Sequence, residues 1–258
     1  MKTTKLIIAA SLGLMIPFMS MGQSTLGPGV TTDPANSVMT NAVGKLAGTP
    51  LAPHNFAKQT WNQYQNVGNG GQICQPCHTP HNAQGAATLG APLWNHQLSG
   101  ATYNLYSAVE TKGGVGWNLG VTAPDGTSKL CLSCHDGTVA LGAYGSQTLQ
   151  GATTMSVYSP GASFGNDLSN DHPISVIYQD MLTAGMGSLR TTTDFVPTAY
   201  NSATGAYTIS ATKTMASMLD KNGKIQCTSC HGAHSNSIGY QLSMSNQGSL
   251  LCLQCHKK

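Results

Sequence analysis

The stretch CQPCHTPH, residues 74–81, decides how the rest of the chain is read. Two thiols stand three residues apart, a histidine follows at once, and a second histidine comes three residues later. The pattern recurs. All eight cysteines of the 258-residue chain fall into four pairs with the same gap, and each pair is followed by a histidine. The sets are Cys74, Cys77 and His78; Cys131, Cys134 and His135; Cys227, Cys230 and His231; and Cys252, Cys255 and His256. C-x-x-C-H is the attachment signature of c-type haem: the thiols add to the porphyrin vinyl groups and the histidine becomes the proximal iron ligand. Paired cysteines also hold zinc, close disulfides or serve thioredoxin-like redox chemistry. None of these uses requires a histidine after every pair, so the reading is four covalently bound haem c groups.

Nine histidines are present, and the proximal set leaves His54, His81, His96, His172 and His234. Each iron takes a sixth ligand, and histidines suffice for all four. Their order is informative. His54, CQPCHTPH and CLSCH are followed by His172, CTSCHGAH and CLQCH, the same sequence of ligands twice. This marks an internal duplication with halves at about 50–145 and 168–258. His78 and His81 are neighbours on one side of a helical turn. His81 therefore cannot reach the far side of the haem held by His78, and it serves an adjacent iron; His234 does the same. The expected pairings are His81 with the iron at His135, His234 with that at His256, His54 with His78, and His172 with His231. An exchange of His54 and His172 stays open. His96, in PLWNHQ, has no counterpart in the second half and is the spare.

The N-terminus, MKTTKLIIAASLGLMIPFMSMGQS, has lysines at 2 and 5, an apolar run and then small residues. It reads as a secretory signal peptide over residues 1–22, leaving a tetrahaem domain at 23–258 with no membrane span after processing. Export suits c-type haem, which bacteria attach outside the cytoplasm. Only 8% of residues are charged and 6% aromatic. So few large side chains make a poor core. The expected fold is mostly coil, with short helices around the motifs, few short strands and a core organised by haem. The formal charge is +3. The propionates of four haems would add roughly −8, so the basic balance does not point to nucleic acid. The stretch 195–215, FVPTAYNSATGAYTISATKTM, alternates around Ala-Thr-Gly and predicts a hairpin.

The residues CHTPH, APLWNH, LCLSCHDGTVA, DHPISV, CTSCHGAH and LCLQCHKK resemble the doubled-C-x-x-C-H multihaem cytochromes c of metal-reducing bacteria. The resemblance runs from about His54 to Lys258 and extends to the small tetrahaem outer-surface members that polymerise into filaments. It implies bis-histidine ligation and long-range electron transfer to redox partner cytochromes or extracellular acceptors such as metal oxides. It also implies self-assembly in which a neighbouring copy donates one distal histidine, with His54 a candidate. The location implied is extracellular or at the cell surface. The alternative is a monomeric periplasmic or surface shuttle. No variant attachment motif marks a catalytic haem and no G-x-G-x-x-G follows a strand, so the expectation is a carrier and not an enzyme.

Overall fold

The chain is described by a computed structural model over residues 54–56, 59–62, 73–81, 83, 90–106, 120–145, 153–185, 188–236 and 238–257. It divides into two units, Met1–Val38 and Met39–Lys258. The first, with the signal-peptide segment, lies outside the described residues. So does Trp117. Both halves of the duplication fall in the second unit.

Most of that unit is turn and coil. Helix α1, Gly126–His135, carries the second motif. It stops where Gly137 takes the left-handed conformation (φ 74°) and its N–H caps Cys134 O at 3.2 Å. Helix α2 is a single turn, Met155–Tyr158. Strand β1, Val176–Ile177, runs into helix α3, Tyr178–Thr183. Strands β2, Phe195–Asn201, and β3, Ala206–Thr214, form the antiparallel hairpin that the alternating stretch predicted. Gly205 closes its turn at φ 71°, donating to Asn201 O at 2.8 Å. Pro197 sits where the register shifts, as a residue without an N–H must. Strand β4, Lys224–Ile225, pairs antiparallel with β1 and leads into helix α4, Cys227–Cys230, the third motif. No helix among the described residues is long and apolar enough to cross a membrane.

Side chains build several small cores. The largest packs Val176, Tyr178, Met181, Val196, Met215 and Ile225. Others join Trp61, Leu141 and Tyr144; Trp94 and Leu130; and Tyr106, Leu132 and Leu168. Met181, Met215 and Met218 are buried. An unbranched thioether fills the irregular gaps that so few large residues leave.

Candidate functional site

The third and fourth motifs and the first share one local frame, which is absent from the second, where the histidine, His135, is itself still helical. In each, the histidine N–H donates to the first cysteine carbonyl: His78 to Cys74 at 2.8 Å, His231 to Cys227 at 2.9 Å, His256 to Cys252 at 3.0 Å. Each histidine then bridges antiparallel to a remote residue: His78 to Trp94, His231 to Leu242, His256 to Leu189. The residue before that partner accepts from the residue after the histidine: Leu93 from Thr79 at 2.9 Å, Gln241 from Gly232 at 2.7 Å, Ser188 from Lys257 at 2.5 Å. The residue after it donates to the second cysteine carbonyl: Asn95 to Cys77, Ser243 to Cys230 and Arg190 to Cys255, each at 2.8 Å. Leu93, Gln241 and Ser188 all hold positive φ, at 56°, 51° and 72°. Such strain persists only where surrounding bonds impose it.

These clasps also orient imidazoles. His78 Nδ1–H points to Pro92 O at 2.8 Å and His231 Nδ1–H to Tyr240 O at 3.1 Å. His135 uses Ala162 O at 2.7 Å, His54 uses Ala233 O at 3.2 Å and His172 uses Pro173 O at 3.1 Å. A carbonyl on Nδ1 fixes the tautomer and leaves the Nε2 lone pair for a metal, the usual outer support of a ligating histidine.

The rings then come together in pairs. His54 faces His135 and His78 faces His234, both with centroids 6.1 Å apart. Two imidazoles bound through nitrogen at about 2 Å to one metal would hold their centres roughly 6 Å apart. Burial and the nearby His135 lower the His54 pKa to about 4, and burial and His78 lower that of His234. Burial also lowers His135, and burial with the charge of His172 lowers His256. Neutral imidazoles are what iron requires. The thiols, free in all four motifs, stand beside these histidines. This donor set fits haem c.

The arrangement changes the expected partners. His54 meets His135, not His78, because its Nδ1 is anchored at Ala233, beside the third motif. His234 meets His78, not His256, so the doubled histidine of the second half reaches back to the first. The charge of His172 also bears on His256. His81 and the spare, His96, are not brought against another imidazole among the described residues. His96 is 1% exposed, donates from Nδ1 to Gln97 O at 2.9 Å and places Nε2 3.4 Å from Cys134 Sγ.

The motifs also adjoin in sequence order. Burial and then Cys134 push the Cys77 thiol up. Cys131 and Cys227 interact, which raises the first thiol and lowers the second. Burial and then Cys252 raise Cys230.

Sequence reasoning missed the residue that holds the second and third motifs together. Gln226, 1% exposed, accepts at Oε1 from Ser128 N and Oγ, at 3.2 and 2.5 Å. Its Nε2 donates to Asp125 at 3.0 Å and Asp220 at 3.1 Å. Its amide side chain packs where a Cβ on Gly126 (φ 52°) would come within 2.7 Å of it, so only glycine fits there. Cys227 N–H completes the junction by donating to Ser128 Oγ at 3.0 Å. The fourth motif has a similar lock. Tyr178 OH donates to Arg190 O at 2.8 Å and Cys255 O at 3.1 Å, and Arg190 Nε to Leu253 O at 2.8 Å. A single glutamine or tyrosine carries no pattern by which a sequence reader could find it.

No curated protein matches the chain. A family model of the doubled CXXCH motif matches residues 221–258, which hold the third and fourth motifs. That match is consistent with a multihaem cytochrome: the doubled motif indicates covalent attachment of haem c, chemistry suited to electron transfer.

Proposed function

We propose that the chain is a tetrahaem cytochrome c with bis-histidine ligation, exported from the cytoplasm and assembling with copies of itself into filaments that carry electrons to extracellular acceptors. The observation that carries this reading is the opposition of His54 to His135 and of His78 to His234, each pair at 6.1 Å. Two protein imidazoles per iron leave no position for substrate, which favours a carrier over an enzyme. Bound haem c supplies reversible one-electron Fe(III)/Fe(II) chemistry. The chain's residues tether, ligate and orient. The eight cysteines fix position and the carbonyls of Pro92, Ala162 and Tyr240 set the tautomers of His78, His135 and His231. The order of the motifs, each adjoining the next, supports a continuous path.

A pyridine haemochrome assay on the purified holoprotein tests the cofactor, with four c-type haems per chain expected. Carbon monoxide added to the reduced protein should leave the Soret band unchanged, and a large shift would sink bis-histidine ligation. Electron microscopy of protein sheared from the native host should show filaments of regular width. Dispersed monomer-sized particles would support the monomeric periplasmic or surface shuttle instead.

A further inference from the structure

The ring pairs leave two proximal histidines over. His135 has His54 and His78 has His234. His231 and His256 have no facing ring among the described residues. Of the remaining histidines, His96 is turned to the Cys134 sulfur at 3.4 Å, which leaves His81 and His172.

The local frames make this more than subtraction. His78 and His231 occupy equivalent places: the same bond to the first cysteine carbonyl, the same antiparallel bridge, the same Nδ1–H to the carbonyl two residues before the bridge partner. His81 and His234 each follow that frame by three residues. His234 does not serve the iron of its own motif; its ring faces His78, the equivalent histidine of the other half. The same relation applied to the first half carries His81 to His231.

We infer that His81 is the sixth ligand of the iron held by His231, so that the two H-x-x-H segments, His78 to His81 and His231 to His234, exchange their second histidines. This rests on the tetrahaem reading above. The consequence is structural as well as electronic. Two imidazoles three residues apart, bound to two different irons, would hold the first and third haem sites side by side. The donor can belong to the same chain or to a second copy; the imidazole chemistry is the same.

The test uses the matured holoprotein and reads ligation by carbon monoxide binding and electron paramagnetic resonance. The wild type should bind none. H81G should bind carbon monoxide at one haem in four and show one high-spin iron, and added imidazole should restore the low-spin spectrum. Imidazole rescue separates a lost ligand from a misfolded variant. The same substitution in a chain that also carries C227S and C230S, which lacks the third haem, should open no further site. An H81G protein that stays low-spin and inert to carbon monoxide would overturn the assignment, as would an open haem that persists in the triple variant or H96G opening the site instead. A haemochrome count below four in the wild type would instead overturn the tetrahaem reading. Diluting the wild type until light scattering shows monomer identifies the donor. A site that opens on dilution places His81 on a second copy, and one that stays closed places it on the same chain.

Discussion

At the scale of single residues, a histidine's role is set by what its second nitrogen does. His54 is the clearest case. Its Nδ1 is held by Ala233 O, which aims its ring at His135 even though the nearer motif in sequence is the one at 74–78. H54G should therefore open the iron on Cys131 and Cys134 and leave the one on Cys74 and Cys77 closed. H234G should do the reverse. Peptic peptides that retain their haem, examined for carbon monoxide binding after each substitution, distinguish the two. Removing a ligand while the proximal histidine stays should not release the haem, because the thioethers are covalent. His96 shows that Nδ1 alone is not enough. Its Nδ1 is held by Gln97 O like those of the paired histidines, but its ring is buried with Nε2 turned to the Cys134 sulfur.

At the scale of elements, the short helices and turns hold together through polar clasps more than through apolar faces. Gln226 joins α1 to α4 with both ends of its amide satisfied. Q226L keeps the volume and removes the bonds, leaving Ser128, Asp125 and Asp220 short of partners. It should cost about 1–3 kcal/mol, read as a lower guanidinium midpoint of the holoprotein. The same junction sets a pH dependence. Burial raises the Asp125 carboxyl, but hydrogen bonds from Lys224 and Gln226 outweigh it and hold the group below its ordinary 3.8. A depressed carboxyl stabilises the fold above its unfolded-state value and stops doing so as pH falls through the folded one. Wild-type stability should thus fall below about pH 4, and D125N should flatten that part of the profile in thermal melts. Ser188 tests the clasps. It is exposed and held at φ 72° before the bridge to His256. S188G should gain about 1 kcal/mol and S188V should lose more than that, since only glycine takes this conformation without strain. The hairpin and the doubled motif at 221–258 were legible in the sequence because each is a local pattern. The clasps were not, because Trp94, Leu189 and Leu242 share no residue type and are joined to their motifs by backbone bonds alone. The ring pairs His54–His135 and His78–His234 were not legible either, because their members are far apart in the sequence, where order along the chain carries no information about distance.

At the scale of the whole molecule, the question is what organises the chain. Its apolar clusters are separate and small, the largest with six buried residues and the smallest with two. Three of the four sit beside an attachment cysteine: Trp94 and Leu130 beside Cys77, Trp61 and Tyr144 beside Cys134, Val176 and Tyr178 beside Cys255. Separate clusters gathered beside three of the attachment sites need something planar and apolar at those points to join them. Four covalent porphyrins would do so, each adding buried surface where the local cluster ends. A chain with all eight cysteines replaced by serine should therefore lack near-UV circular dichroism, bind a hydrophobic dye and unfold without a cooperative transition. The hairpin and α1 should not rescue it. A two-stranded hairpin is marginal in water and a ten-residue helix rarely stands alone. A cooperative melt with fixed aromatic signals in that serine variant would mean that the clusters already form a continuous core. The haems would then be passengers on a fold that exists without them.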